Sequence, residues 1–271
     1  MNAGIFPRAV EVYEVLLVLG VALGASVLTF FSGFGLGTLL LPAFALVFPL
    51  DVAVAASAVV HLANNLWKGV LVGRLAEWRI VLRFGVPAAV AALTGAGLFL
   101  LLEGEALWIY HLAGRRTVTA LGLVVGALIT VFALFELVPV LKAWSVHRRH
   151  LVLGGLLSGF FGGLSGHQGA LRSVFLTKVG LHAKAFVATG TLCAILVDVG
   201  RLAVYSTRYT TNAAAIDDAG GWFLLGGAVL MALVGAVVGA KLLGKTTMEG
   251  IHLLVGVLLL VLGPLIAMGL V

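Results

Sequence analysis

Hydrogen-bonding and charged side chains interrupt an apolar part of the chain between residues 162 and 172. The segment GGLSGHQGALR places Ser165, His167, Gln168 and Arg172 among glycines, with LVLGGLLSGFF before it and SVFL after it. Glycine lets the backbone turn and lets a solute approach closely. Helix N-termini at such a break offer free N–H groups and a partial positive charge, and the planar fork of arginine suits oxyanions. The segment therefore predicts an anion site at a helix break.

A plainer glycine-rich break, SGFGLGT, covers residues 32–38. We expect the two breaks to contribute backbone and side-chain groups to one site. In the simpler alternative, the glycines only pack helices and the polar side chains cap helix ends. The candidate residues at the breaks are Gly35, Gly37, Thr38, Ser165, Gly166, His167, Gln168, Gly169 and Arg172.

Polar residues continue at helical spacing after the first break. Positions i, i+4, i+7 and i+11 are occupied by Ser57, His61, Asn64 and Lys68, which places them on one face of a helix. Ionisable residues inside a membrane normally face the protein interior and serve its function, so this face extends the candidate site. For Lys68, the alternative is that its ammonium group reaches out to the membrane surface.

A corresponding set of polar residues follows the second break. Thr189 occupies the position equivalent to Ser57, and Asp198 and Arg201 are three residues apart, so they can pair. Arg201 lies near a helix end, so its alternative is also to reach the membrane surface. We assign Lys68, Asp198 and Arg201 to charge pairing or gating. Because cations outnumber anions across both sets, we expect the solute to be an anion.

The composition indicates that these residues lie within a membrane protein. Of the 271 residues, 62% are hydrophobic and only 10% are charged, and the mean hydropathy is +1.18. A soluble domain of this length carries a far more charged surface. The single cysteine, Cys193, excludes an internal disulfide framework. The apolar segments are 12–31, 35–49, 52–72, 80–102, 117–140, 151–165, 168–180, 184–205, 221–243 and 250–270.

Three of these segments, 35–49, 151–165 and 168–180, are too short to cross a bilayer, because a span needs about 20 residues. Together with the glycine breaks, they predict two helical hairpins that enter the membrane and return, although 12–31 is long enough to cross. The second half also repeats the first, since residues match at one constant offset and each half has a hairpin followed by three longer helices. The matched pairs are Gly37 with Gly169, Leu39 with Leu171, Ala53 with Ala185, Ala56 with Ala188 and Ser57 with Thr189.

Loop charges predict how the halves are oriented. Lys and Arg mark the cytoplasmic side, which places 73–83, 141–150, 178–184 and 241–249 inside. Loops 103–116 and 206–220 are then outside, with both termini. Each half crosses the membrane three times, so the halves are inverted, as in secondary transporters. The prediction is an all-α polytopic membrane protein with two inverted repeats, 1–140 and 151–271, each a broken-helix hairpin plus three transmembrane helices, joined by a basic cytoplasmic linker, 141–150.

The chain resembles the TauE/SafE family of sulfite exporters and related anion permeases. The first half carries the resemblance in SGFGLGTLLLPAF (32–44) and AVAASAVVHLANNLWKG (53–69), with Pro42 at the proline position of the family. In the second half the matching segments are SGFFGGLSGHQGALRSVFL (158–176) and AFVATGTLCAILVDVGRLAVY (185–205), with Val174 in place of that proline.

This resemblance implies export of sulfite or small organosulfur anions across the inner (cell) membrane by a multi-pass protein, without a cofactor. An oxyanion would lie near the midplane between the two hairpin tips while the halves rock around it. The expected partners are a small anionic solute and the lipid bilayer. Homodimer formation is left open, and neither a metal ion nor nucleic acid is expected. The sequence leaves the exact substrate, the direction and the coupling ion undetermined.

An intramembrane serine protease is the alternative from another functional class. GLSG at 163–166 has the GxSG pattern of rhomboids, with Ser165 as nucleophile and His252 as a candidate base. A repeat over the whole chain has no place in a protease of that kind. A purely structural role leaves the inward polar residues unexplained. We therefore expect a transporter and not an enzyme.

Overall fold

The fold is described from a computed structural model covering residues 10–32, 35–111, 115–138, 140, 146–208, 213–214, 216–217, 221–242 and 249–270. Helices of the first half are α1 Val12–Ser32, α2 Leu36–Ala45, α3 Leu50–Val72, α4 Trp78–Ile80, α5 Val86–Leu102 and α6 Ala120–Leu137. Helices of the second half are α7 Leu151–Ser165, α8 Gly169–Leu176, α9 Ala183–Tyr205, α10 Gly221–Leu242 and α11 Glu249–Ala267. A π-helical turn, Val81–Gly85, joins α4 to α5.

The helical membrane fold is confirmed. Within the described ranges, five helical stretches are long and apolar enough to cross a membrane: Val12–Phe30, Leu50–Leu75, Trp78–Leu102, Ala183–Arg208 and Gly221–Leu242. Shorter apolar helices are Leu36–Ala45, Ala120–Phe135 and Gly256–Ala267. The short helices α2, α7 and α8 correspond to the segments predicted to be hairpin arms, and the bounds of α7 coincide with the predicted segment 151–165.

The predicted helical segment 117–140 is wrong at its start. Strands β1, Ala106–His111, and β2, Arg115–Thr119, form an antiparallel pair, and α6 begins only at Ala120. Both strands are rich in aromatic and β-branched residues, which favour extended backbone. The Oγ1 of Thr119 then accepts a hydrogen bond from the N–H of Gly122 at 2.9 Å and caps the helix.

Two other predicted apolar segments are longer than the helices that they contain. The segment 168–180 contains α8, which ends at Leu176, and then a 3₁₀ turn that reaches Gly180 with φ of 84°. The segment 35–49 contains α2, which ends at Ala45. Pro49 follows in an extended conformation and precedes α3, as expected because proline fixes φ and lacks an N–H.

Helices of the two halves pack against each other in a reciprocal way. The first helix of each half packs along the helix before the last of the other half, so that α1 contacts α10 and α7 contacts α5. The long helices that come after the short helices α2 and α8 are α3 and α9, and they pack on each other. The last helices of the halves, α6 and α11, do the same. An internal two-fold relation between the halves would produce this arrangement. The inversion of the repeats stays a prediction, as do the repeat boundaries.

Loops predicted on the same side of the membrane come together in the structure. Residues of 73–83, 141–150 and 178–184 line one cavity. At the opposite loops, Arg208 pairs with Glu103 at 3.7 Å. Burial and the nearby Asp51 carboxylate raise the pKa of Glu103, and Arg208 opposes that shift. The assignment of these two ends to the inside and outside stays a prediction.

Helices α5 and α7 approach so closely that only glycine fits at the contact. A β-carbon on Gly159 would lie 2.0 Å from the carbonyl oxygen of Ala88, and one on Gly163 would lie 2.1 Å from that of Ala92. Small residues permit such backbone contact between membrane helices. Because α7 is one arm of the predicted second hairpin, this contact holds that arm against α5.

We expect Gly159→Ala to destabilise the protein by about 1–3 kcal/mol, because the added methyl group overpacks a backbone contact. The matched control is Gly97→Ala in α5, where a β-carbon would meet nothing within 4 Å. There the better helix propensity of alanine leaves stability equal or raised by up to about 1 kcal/mol. Equilibrium unfolding in detergent measures both variants. Equal stabilities would contradict the close packing of α5 on α7.

Candidate functional site

The glycine-rich breaks of the two halves meet in the interior. A β-carbon placed on Gly37 would lie 3.4 Å from the carbonyl oxygen of Gly166 and 3.6 Å from Cδ2 of His61. Gly166 has φ of +80°, and a β-carbon there would lie 2.7 Å from Nη1 of Arg201. Gly37, His61, Gly166 and Arg201 therefore surround one point. They come from a break and a following helix in each half.

The helices that leave the two breaks begin without a side-chain cap. Gly35, with φ of 121°, precedes α2, and Gln168 precedes α8; neither of these two residues caps its helix with a side-chain hydrogen bond. Uncapped first-turn N–H groups favour an anion, as does the positive end of the helix dipole. Thr38 and Gly169 lie in these first turns and are half-buried.

Asp198 is the centre of the polar network beside the breaks. Its Oδ2 accepts from Nδ1 of His61 at 2.7 Å and from Nδ2 of Asn65 at 3.1 Å. Its Oδ1 accepts from Nε of Arg201 at 3.0 Å and from Nε2 of Gln168 at 3.2 Å. Nη2 of Arg201 also lies 2.8 Å from Oδ1. The predicted pairing of Asp198 with Arg201 is present, and donors from α3 join it across the two halves.

Arg172 lies in a pocket formed by the second half. Its Nη1 donates to Oε1 of Gln168 at 3.3 Å. A β-carbon on Gly190 of α9 would lie 3.3 Å from its Nε. Arg172 is 5% exposed, so its guanidinium group is inside the protein rather than at the membrane surface. Gln168 thus connects Arg172 to Asp198 through a single amide.

His167 lies at the tip of the second hairpin with its ring parallel to that of Phe132, at 5.8 Å between centroids. Its Nδ1 contacts the carbonyl oxygen of Ser165 at 2.9 Å, so this nitrogen carries a proton and donates. Nε2 of His167 is buried and has no partner among the described residues. In the neutral ring Nε2 is therefore an acceptor, whereas in the charged ring it becomes a second donor.

Among the other buried atoms without a hydrogen-bond partner within the described part of the chain are Nη1 of Arg201 and Nδ2 of Asn64. Buried polar groups in proteins are nearly always hydrogen-bonded to protein or water. Donors left open beside a helix break are what a bound oxyanion would use. This distinguishes Arg201 from a charge whose only role is to neutralise Asp198.

Lys68 and Asn64 bind to α1 instead of extending to the membrane surface. Nζ of Lys68 donates to Oγ1 of Thr29 at 2.9 Å and lies 5.5 Å from the ring centroid of Phe30. Oγ of Ser26 contacts Oδ1 of Asn64 at 2.8 Å. Lys68 is 4% exposed and Arg201 is fully buried, so the membrane-surface alternative is wrong for both. Ser26 and Thr29 were not predicted from the sequence. Their polarity within the otherwise apolar helix α1 could have identified them.

Three of the hydroxyl groups predicted to bind the solute form hydrogen bonds with main-chain groups. Ser57 donates to the carbonyl oxygen of Val54 at 2.9 Å, and Ser165 donates to that of Phe161 at 3.1 Å. Oγ1 of Thr189 accepts from the N–H of Glu77 at 2.9 Å and so holds the start of α4. In this conformation Ser57 and Thr189 therefore serve the fold, and their predicted contact with a solute stays a prediction.

The buried ionisable groups of this region carry an excess of positive charge. Lys68, Arg172 and Arg201 are buried basic residues, and Asp198 is the buried carboxylate that pairs with Arg201. Such an imbalance is unfavourable in a low-dielectric interior unless an anion completes it. Among the described residues, no three His, Cys, Asp or Glu side chains come close enough to hold a metal ion.

The protease alternative gains no support from this geometry. The hydroxyl group of Ser165 donates to a main-chain carbonyl, and the nearest ring nitrogen is Nδ1 of His167 at 3.2 Å. That nitrogen donates to the carbonyl oxygen of Ser165, so it is not free to act as a base. The side chain of His252 lies outside the described residues.

The comparison with protein families matches residues 17–265 to the family described as sulfite exporter TauE/SafE. This match covers nearly the whole chain, and the chain belongs to that family. It is therefore a membrane protein of a transporter family. Neither the curated proteins nor the solved structures contain a match to the chain.

We expect Asp198→Ala to lower the free energy of unfolding by about 3–5 kcal/mol, because it leaves the guanidinium group of Arg201 buried without its carboxylate. The control is Asp217→Ala, since Asp217 is exposed, and its effect should stay within about 0.5 kcal/mol. Unfolding in detergent, followed by circular dichroism, measures both. Equal stabilities of the two variants would show that the Asp198 network does not hold the interior together.

Proposed function

We propose that the chain is a secondary transporter that exports a small sulfur oxyanion, sulfite or an organosulfur anion, across the cell membrane. Family membership supports the transporter class. The observation that carries the site is the meeting of Gly37 and Gly166 beside the guanidinium group of Arg201. Helix breaks in a membrane persist only where protein buries them or where they line a cavity. Here they meet beside a buried excess of cations.

The oxyanion would bind where the two breaks face each other. Its oxygens would accept hydrogen bonds from the first-turn N–H groups of α2 and α8 and from Nη1 of Arg201. Glycines at positions 37 and 166 allow the backbone to come close, since no β-carbon separates the solute from the main chain. His167 would add selectivity through Nε2. In the neutral ring this nitrogen accepts a hydrogen bond from a protonated oxygen of the solute, and in the charged ring it donates one to an unprotonated oxygen.

Asp198 would regulate this site through competition. It binds Arg201, His61 and Gln168, the groups that surround the contact between the breaks. A substrate oxyanion entering the site offers the same donors an alternative acceptor. Because His61 and Asp198 belong to opposite halves, weakening their bond would loosen α3 from α9. Rocking of the halves around a fixed site then requires a substrate to be present, as alternating access demands.

The membrane potential would drive the export. Moving one charge through 100 mV changes its free energy by about 2.3 kcal/mol, and a negative interior favours the exit of anions. A passive exporter of this kind needs no coupling ion. No nucleotide or second energy source enters the scheme, and the electrochemical gradient of the anion alone would set the direction of transport.

We expect purified protein in liposomes loaded with sulfite to release it when the potential is made negative inside. In the proposed site Arg172, which donates to Gln168 at the second break, also gives the oxyanion a charged donor. Arg172→Ala should therefore slow release about tenfold or more, the effect of losing a hydrogen bond from a charged group. The control is Arg208→Ala, whose side chain is 53% exposed, and it should release sulfite as fast as the wild type. Absence of release from the wild type would remove sulfite as the substrate. Equal rates for Arg172→Ala and the wild type would remove Arg172 from the site.

Gly166→Ala should slow release about tenfold or more, because its methyl group would lie only 2.7 Å from Nη1 of Arg201 and displace a charge-assisted donor. Gly104→Ala is the control: Gly104 has nearly the same backbone, with φ of +78°, but no neighbour within 4 Å. Both variants incur the same left-handed strain of about 1–2 kcal/mol. If the two variants transport equally, the contact between Gly166 and Arg201 plays no part in transport.

A further inference from the structure

A cavity of 360 Å³ lies at the end of the molecule opposite to Glu103 and Arg208, between the two halves. The first half contributes the segment from Glu77 to Arg83. The second half contributes Arg148, the start of α7 and the turn after α8. The lining residues are Glu77, Arg79, Ile80, Arg83, Arg148, Leu151, Val179 and Leu181. Three guanidinium groups against one carboxylate make the cavity strongly basic, and it is separate from the site at the breaks.

The three arginines of this cavity have no ion-pair or hydrogen-bond partner for their side chains in the part of the chain that the structure describes. Among the described residues, the ion pairs and side-chain hydrogen bonds involve none of Arg79, Arg83 and Arg148. The neighbouring Arg149 differs, since its Nε donates to His150 at 2.8 Å. Like charges gathered in one concave place repel each other unless an anion joins them.

The arginines are held together by the backbone beneath them. Arg79 and Arg83 lie on α4 and on the π-helical turn, and Phe84 of that turn is 1% exposed. A β-carbon on Gly155 of α7 would lie 2.2 Å from the carbonyl oxygen of Phe84, so the turn contacts α7 directly. The N–H of Val146 donates to the carbonyl oxygen of Val174 at 3.1 Å, just before Arg148. The fold therefore holds the three arginines close together.

We propose that this cavity binds a phosphate-bearing anion, which bridges the arginines of the two halves. Guanidinium groups recognise phosphate through paired hydrogen bonds, and basic pockets between membrane helices bind lipid headgroups. The volume of 360 Å³ admits a phosphate with a glycerol-sized substituent. The phosphate belongs either to an anionic lipid or to a soluble phosphate ester, and the two sources share this chemistry.

A ligand in this position would affect the transporter as a whole. One wall of the cavity, with Arg79 and Arg83, belongs to the first half, and the wall with Arg148 belongs to the second. An anion that contacts both walls binds better when they are close. It therefore stabilises the conformation in which this end is closed. Binding itself does not depend on the transported solute, so this inference stands apart from the proposed function.

Binding is tested on the full chain, purified in neutral detergent. The two probes are glycerol 1-phosphate and phosphatidylglycerol, and phosphatidylcholine is the neutral lipid control. Native mass spectrometry counts retained lipid, and isothermal titration measures the soluble probe. The matched variants are Arg148→Gln, inside the cavity, and Arg149→Gln, its neighbour outside the lining. A second pair is Arg83→Gln against Arg74→Gln.

We expect the wild type to retain phosphatidylglycerol or to bind glycerol 1-phosphate. The apparent Kd should rise at least tenfold in Arg148→Gln and Arg83→Gln and less than twofold in Arg149→Gln and Arg74→Gln. Retention of the lipid alone identifies a headgroup site, and binding of the soluble probe alone identifies a metabolite site; either supports the proposal. It is overturned if neither probe binds, or if each cavity variant binds as well as its control. All four arginines are exposed, so elution on size exclusion should match the wild type.

Discussion

The structure depends on one buried carboxylate. Asp198 has no exposed surface, and an isolated charge in that position would cost several kcal/mol. Donors on both of its oxygens remove that penalty, and they come from α3, from the second break and from α9. Because the network closes only when both halves are in place, it fixes α3 against α9. It also pairs Nε and Nη2 of Arg201 with Asp198 and leaves Nη1 beside the break.

The broken helices are possible because the protein satisfies their backbone. The carbonyl oxygen of Gln168 accepts from Ser158 at 2.8 Å. The hydroxyl group of Tyr205 donates to the carbonyl oxygen of Gly163 just before the second tip. The carbonyl oxygen of Gln168 also accepts from the N–H of Arg172 at 3.1 Å. An unpaired carbonyl in lipid would cost several kcal/mol. Neither helix that leaves a break is capped by the side chain of its N-cap residue. The carbonyl acceptors beside the breaks are therefore satisfied, whereas the first N–H donors have no cap of this kind. This asymmetry is what an anion site needs.

Helices and their buried polar faces could be predicted from the sequence, because periodicity and hydropathy act locally. The bounds of α7 and the pairing of Asp198 with Arg201 follow from spacing alone. The partners of Ser57 and Thr189 could not be predicted in this way. A hydroxyl group binds whichever carbonyl or N–H the fold brings near, and the N–H of Glu77 is distant in sequence. The strands before α6 were missed for a related reason, since apolar β-branched residues such as Val118 suit both a strand and a membrane helix.

The cations of the protein form two separate groups. In the interior, Arg201 lies beside the contact between the breaks and Lys68 and Arg172 are also buried, whereas Arg79, Arg83 and Arg148 line the cavity between the basic loops. Each group draws members from both halves. A relative movement of the halves therefore changes the spacing of like charges in two places at once. An anion at either place lowers the repulsion in the conformation that it fits. In the proposed scheme, helices α5 and α7, which pack backbone to backbone, would connect the two sites.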